Sequence, residues 1–420
     1  MTRYQRVTGM KDVLFDEQRS WRYVLERVQH TADLFGYQRL DTPLIESTGL
    51  FVRGVGEGTD IVEKEMYTWT DLDGASISLR PEFTAGIMRA YVENGLHTLP
   101  TPLKVWTVGP LFRHEKPAAG RYRQHSQFDI EVIGEQDPAV DVEVISVAWH
   151  LFSDLGFSGL RLLVNSTGCP RCKPDYVERL RAYFASQRDE LPEVDRMRLE
   201  KNPLRILDSK EEETQALLGG APKIADHLCQ ECAGHFRRLR AYLDALDRPY
   251  QVDYRLVRGL DYYTKTVFEI KAGGLGSQDT ICGGGRYDGL IEQLGGRPTP
   301  GIGFGAGIER IVLSLQHLGI TPPPVLGPRV LVAYLGESAK RAAIGLVEQL
   351  RRAEIGALLA FGDRSLKAQL KSANRAGVAF TVILGEEELR RGQAAVRDMA
   401  SSDQTPVTLP QLEAWLKARL

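Results

Sequence analysis

Three stretches of the chain crowd together side chains able to do chemistry. The first runs from Phe112 to Gln124 and places Arg113, Glu115, Arg121, Tyr122 and Arg123 at the end of an apolar run. A guanidinium is a planar fork of donors that suits a phosphate. Basic residues around an aromatic ring are what a nucleic-acid contact needs, although a solvated charged turn has the same composition. The second, Leu256 to Glu269, holds Arg258, Asp261, Tyr262, Tyr263 and Lys265. It is dense in groups that can donate to anions; a surface strand with aromatic cross-strand pairs is the ordinary alternative. The third alternates glycines at 301, 303, 305 and 307 before Glu309 and Arg310. Glycines spaced this way on a strand let a flat group lie against the backbone. They are not a dinucleotide fingerprint, because the spacing is wrong and no second βαβ half follows.

A fourth feature is the strict alternation from Ser126 to Val132. Gln127, Asp129 and Glu131 point one way and Phe128, Ile130 and Val132 the other. The polar row is either a sheet face open to water or the floor of a site for a polar substrate. Four of the five cysteines form two knuckles, Cys169-Pro-Arg-Cys172 and Cys229-Gln-Glu-Cys232. Two such pairs can give four thiolates to a tetrahedral Zn²⁺ at about 2.3 Å, or they are reduced thiols. Five cysteines are too few and too odd for a disulfide scaffold, and Cys282 reads as a small packing residue.

These groups need a frame. Residues 16–35 read as a helix with Trp21, Val24, Leu25, Val28 and Ala32 on one face. Residues 37–46 read as a strand, as do 103–112 and 126–132. A helix runs through Val142, Ile145, Ala148, Trp149 and Phe152, with Gly156 just past its end. Residues 160–250, rich in Arg, Glu and Leu, read as a mostly helical insertion. Three prolines at 322–324 stiffen a linker over 319–328. Beyond it, strands at 330–335, 357–361 and 379–384 alternate with helices at 338–354, 365–376 and 412–420, which predicts a small α/β unit with parallel strands.

The composition allows a large core, with 43% hydrophobic residues over 420 positions, and the charge is balanced at 53 Lys+Arg against 55 Asp+Glu. That balance leaves room for a local basic face on nucleic acid. No apolar run approaches the ~20 residues of a membrane span, and no apolar signal core follows the first residues, so a cytoplasmic protein is expected.

Phe112–Gln127 resembles motif 2 of the class II aminoacyl-tRNA synthetases, Gly301–Arg310 their motif 3, and Tyr37–Pro43 their motif 1. Arg258–Glu269 and Cys282–Gly289 resemble the two signatures of the histidine–tRNA ligases within that class, and Gly54–Tyr67 and Leu79–Ala85 are similar to the same family. The resemblance extends over about residues 5–420. It implies an α+β fold: a class II antiparallel sheet flanked by helices over 1–320, a helical, cysteine-containing insertion at about 168–250, and an anticodon-binding α/β domain at 329–420.

The resemblance further implies residue roles. Arg113 would hold the α-phosphate, Arg310 the γ-phosphate, and Arg258 the charge on the phosphorus under attack. Glu115 would read the adenine amino group and His125 would stack on the base, at a position where the family commonly has Phe. Glu82, Thr84 and Gln127 would grip the α-amino end of L-histidine. Glu131 and Tyr263, with Tyr262 alongside, would contact the imidazole. Arg121 and Arg123 would meet the acceptor end of tRNA(His). ATP with Mg²⁺ would be consumed, any zinc on Cys169, Cys172, Cys229 and Cys232 would be structural, and the chain would pair as a homodimer through motif 1, away from any membrane. A regulatory paralogue that binds histidine without charging tRNA typically lacks Arg258-type chemistry and the last domain, and this chain keeps both.

Overall fold

The computed structural model describes residues 3–118, 120–273, 279–325 and 327–420. They fall into two compact units, Met1–Pro323 and Pro324–Leu420.

The first unit is organised by β-strands, here labelled in chain order: β1 (Gln38–Arg39), β2 (Ile45–Ser47), β3 (Thr68–Thr70), β4 (Ser76–Leu79), β5 (Leu103–Phe112), β6 (Gln124–Ile133), β7 (Arg161–Ser166), β8 (Tyr250–Val252), β9 (Thr264–Lys271), β10 (Thr280–Arg286) and β11 (Gly301–Gly307). Eight of them form one sheet in the order β1-β5-β6-β11-β10-β9-β7-β8. Its centre is antiparallel, and only the two edge pairs, β1 with β5 and β7 with β8, are parallel. The small sheet β2-β4-β3 stands apart. The single strand expected over 37–46 is broken. Pro43 has no N–H to give a ladder, so the chain leaves the large sheet after Arg39 and resumes pairing in the small one at Ile45.

The alternation on β6 sorts the two faces of the large sheet. Phe128, Ile130 and Val132 are fully buried in a core with the helices Phe15–Leu34, Pro138–Asp154, Gln230–Ala245 and Ile308–His317. Val24, Val28 and Ala32 of the first helix enter that core, while Leu25 lies at its exposed rim. Arg286 at the end of β10 is fully buried and bonds to Asp141 of the second helix at 2.7 Å, and Asp141 also bonds to His235 at 2.8 Å. A fixed ion pair therefore locks the sheet to its helical layer; removing one member would strand a buried charge. The opposite face carries a second core, with Phe83, Ile87 and Met88 against Tyr262, Tyr263 and Tyr287. Part of the helical insertion has its own small core around Tyr176, Leu180 and Phe184.

In the second unit β12 (Val330–Tyr334), β13 (Ala357–Leu359) and β14 (Phe380–Leu384) are parallel, as expected, but β15 (Gln393–Asp398) and β16 (Gln404–Thr408) add an antiparallel hairpin. The sheet is thus mixed, in the order β13-β12-β14-β15-β16. The hairpin is short and polar, and buries little besides Ala394, Val396 and Val407.

Candidate active site

Gln127, Asp129 and Glu131 line a cavity of about 170 Å³ on the face of the sheet that carries the second core, together with Glu82, Thr84, Arg113, Arg258, Tyr262, Tyr263 and Tyr287. The glycines of β10 and β11 explain how so many side chains fit. A Cβ on Gly303 would sit 2.6 Å from Cδ of Glu131, one on Gly305 2.9 Å from Cδ of Gln127, and one on Gly283 2.5 Å from Cζ of Arg258. Atoms cannot approach that closely, so the flat groups expected over the glycine strand include the protein's own carboxylate and amide.

Glu131 is 1% exposed. It accepts from the Thr84 hydroxyl at 2.6 Å and from the Tyr287 hydroxyl at 2.5 Å. Burial holds its carboxyl well above the usual range, against the pull of those two hydroxyls. Tyr262 packs edge-on against both Tyr263 and Tyr287, with centroids at 4.8 and 5.9 Å. Burial likewise pushes the Tyr263 phenol up to about 12, so it stays a donor at any physiological pH.

Glu82 caps the helix Thr84–Glu93, accepting from the backbone N–H of Thr84 at 2.8 Å and of Ala85 at 2.9 Å. Asp129 accepts from the Gln127 amide at 3.0 Å through one oxygen, and its other, buried oxygen has no partner. Burial raises this carboxyl to about 8. Phe83, between these elements, is fully buried under Arg80, whose guanidinium lies 4.4 Å from the ring centroid.

The cations flank this acidic floor. Arg113 is anchored by Nε to the Pro81 carbonyl at 2.8 Å, with Glu115 at 3.9 Å from its fork. Arg258 is paired with Glu269, which also accepts from the Thr280 hydroxyl at 3.0 Å, and its buried Nε has no partner. Arg310 opens the helix after β11 and donates to the Thr280 carbonyl at 2.7 Å. Burial, and then the charge of Arg121, lower the Arg310 guanidinium while Glu115 and Glu269 hold it up, so these groups and Arg258 form one charged cluster beside the cavity. His125 joins it. Burial, and then the charge of Arg113, lower this imidazole to about 3, so the ring is neutral. The next backbone N–H, on Ser126, donates to both oxygens of Glu309 at 2.8 and 2.9 Å.

The two loop arginines differ. Arg121 is exposed. Arg123 is half-buried and holds the N-terminal segment, through Thr8 O at 3.3 Å and the Gly9 carbonyl at 2.8 Å.

The structure thus brings Glu82, Thr84, Arg113, Gln127, Glu131, Arg258, Tyr262 and Tyr263 to one cavity, while Glu115, His125, Arg121 and Arg310 lie beside it and Arg123 faces the N-terminal segment. Asp129 and Tyr287 belong to the cavity although the site reading of the sequence left them out. Asp129 carried a signal, since it shares the period-two row with Gln127 and Glu131. Tyr287 carried none beyond its place in the second signature.

Away from this cavity, the Sγ atoms of Cys169, Cys172, Cys229 and Cys232 all lie within 4.8 Å of one another. Cys169 Sγ is 3.8 Å from both Cys172 Sγ and Cys229 Sγ. A tetrahedron with metal–sulfur bonds of about 2.3 Å has edges of about 3.8 Å.

The chain is similar to known proteins along nearly its whole length. The family model described as "Histidyl-tRNA synthetase" matches residues 9–311, and the one described as "Anticodon binding domain" matches 329–419. The chain is 50% identical over 417 residues to the histidine–tRNA ligase of Dehalococcoides mccartyi, covering 99% of this chain and 100% of that protein. It is 49% identical over 414 residues to that of Desulforamulus reducens, covering 99% of each. The crystal structure of apo histidyl-tRNA synthetase from S. aureus superposes with a TM-score of 0.84 at 34% identity, covering 99% of this chain and 100% of that one.

Proposed function

The chain belongs to the histidyl-tRNA synthetase family, and on that premise we propose that it joins L-histidine to ATP as histidyl-adenylate and passes the histidyl group to tRNA(His). The observation that carries the reading is the buried polar row of β6 facing Arg113 and Arg258 across one cavity. A zwitterionic amino acid with a basic ring needs acids at its amino and imidazole ends and cations where its carboxylate meets phosphate. Glu131, held by Thr84 and Tyr287, would accept from one imidazole nitrogen, and Tyr263 would meet the other. The unpartnered oxygen of Asp129, with Glu82 and Gln127, would take the ammonium. A site that hydrogen-bonds both ring nitrogens rejects apolar isosteres by about 10⁴–10⁵.

In the first step a carboxylate oxygen of histidine attacks the α-phosphorus and pyrophosphate leaves. Arg113 and Arg258 would stabilise charge on the α-phosphoryl oxygens, and Arg310 would hold the γ-phosphate; fixed cations at a phosphoryl group are the main source of rate in such transfers. His125, neutral at working pH, would lie on the adenine face, and Glu115 would accept from its amino group. In the second step a ribose hydroxyl at the tRNA 3′ end attacks the acyl carbon and AMP leaves, with exposed Arg121 near the acceptor strand. Class II synthetases use ATP with Mg²⁺; Glu269, whose charge reaches Arg310, would hold the cation together with the phosphate oxygens, and magnesium there would neutralise phosphate charge.

The four cysteines would hold a structural Zn²⁺; the 3.8 Å sulfur–sulfur edges support it. Exposed Leu44 and Ile45, which follow β1 in the chain, and Trp69, on the same small sheet as Ile45, support a homodimer through the motif 1 region. Among the described residues no helix is long and apolar enough to cross a membrane, and a cytoplasmic site of action fits the substrates. Charging of tRNA(His) with each amino acid in turn tests the reading: histidine alone should be attached, and attachment of another amino acid in its place would overturn it.

A further inference from the structure

The cysteine cluster does not stand apart from the chemistry. Cys169 and Cys172 follow β7 directly, and the residues between them and the strand pair with the segment that ends the Arg258 signature. Thr167 N donates to Lys265 O at 2.7 Å and Lys265 N donates to Gly168 O at 2.6 Å. Lys265 holds φ +50, the left-handed region that non-glycine residues avoid. Its ammonium is buried between Asp288 at 3.1 Å and Glu231 at 3.2 Å, and Glu231 lies within the second knuckle. Lys173, next to Cys172, begins the helix Lys173–Ala185 and donates to the carbonyl of Tyr263 at 3.3 Å. A cation in the first turn of a helix opposes the helix dipole, so some other interaction must favour it there.

We propose that the four-cysteine site, through Lys173 and Lys265, is a clamp that positions Tyr263 for the imidazole, and that its metal therefore sets histidine affinity without touching the substrate. The inference rests on the zinc and imidazole assignments made above. Lys173 is a positioning residue: it grips the backbone of Tyr263, while the phenol does the binding. The ATP-side groups Arg113, Glu115 and Arg310 make no bond to the knuckles, so ATP binding is left alone.

The test uses the full chain. Zinc content is measured by elemental analysis, histidine affinity by titration calorimetry, and KM for histidine and ATP separately, for the wild type, K173M and K173R. Loss of a hydrogen bond from a charged donor predicts that K173M binds histidine about tenfold more weakly, retains its zinc, and keeps KM for ATP within about twofold. K173R, which keeps a charged donor, recovers most of the affinity. Zinc removal from the folded wild type by a chelator produces the same weakening, reversed by adding zinc back, and serves alone if K173M does not fold. Bound zinc with unchanged histidine affinity, both on removal and in K173M, overturns the clamp. A chain purified without zinc overturns the metal assignment instead, and weakening of both substrates equally points to lost folding and overturns the positioning role.

Discussion

Replacing Glu131 by Gln separates the binding role of this carboxylate from its structural one. The amide is nearly isosteric, and one of the hydroxyls now donating to Glu131, from Thr84 or Tyr287, can turn to accept from the new NH₂. The fold should survive. Binding should not: the basic imidazole of histidine draws the buried proton off Glu131, and a hydrogen bond to the charged group so formed contributes about 1.5–3 kcal/mol, or about 10- to 150-fold in histidine affinity. KM for histidine in ATP–pyrophosphate exchange should rise by that factor with KM for ATP nearly unchanged. Stability should move the other way. Burial raises the Glu131 carboxyl in the folded protein, so above about pH 4.3 the unfolded chain releases a proton that the native state keeps. Wild-type stability therefore falls as pH rises through that window, and Gln abolishes this loss. The difference in Tm, variant minus wild type, should grow from pH 4.5 to pH 8. Equal rises in both KM values would refute the imidazole assignment, and a flat or shrinking Tm difference would refute the cost of burial.

Asp129→Asn makes a parallel case: its carboxyl is raised to about 8, so the variant's stability advantage should grow between about pH 4 and pH 8 and level off above, with an upper bound of about 6 kcal/mol, while histidine binding weakens. Gly303→Ala would drive a Cβ to 2.6 Å from Glu131 Cδ, and should lower stability by about 1–3 kcal/mol and raise KM for histidine; Gly307→Ala, whose Cβ would meet only Arg310 Cβ at 3.8 Å, should be tolerated in thermal melts. His125→Phe replaces a small neutral ring by a larger apolar one and should lower KM for ATP by about threefold, leaving KM for histidine unchanged in the same exchange assay.

Local periodicity made much of the frame legible. The row Gln127, Asp129, Glu131 was visible because a strand has period two, and the glycine strand because its spacing fits no helix and no dinucleotide fold. What stayed hidden is what topology alone brings together. Tyr287 meets Glu131 across 156 positions of chain, and no spacing rule reaches that far. Glu82 turned out to be held by the first N–H groups of a helix whose start the sequence did not mark. The break after Arg39 could have been read from Pro43, but Tyr37 and Leu40 before it and Leu44 and Ile45 after it favour one strand. The hairpin at 393–408 escaped because its residues are short and polar. The cysteine spacing announced two knuckles, while their meeting depended on how the insertion folds.

Histidine-dependent exchange of pyrophosphate into ATP, followed by charging of tRNA(His) by the same preparation, tests the central claim most directly. Exchange that requires histidine, and transfer of that histidine to the tRNA, are the predicted results. Histidine binding with neither exchange nor charging would contradict the account, because the cavity would then be a sensor of the amino acid and Arg113, Arg258 and Arg310 would have no phosphate to serve.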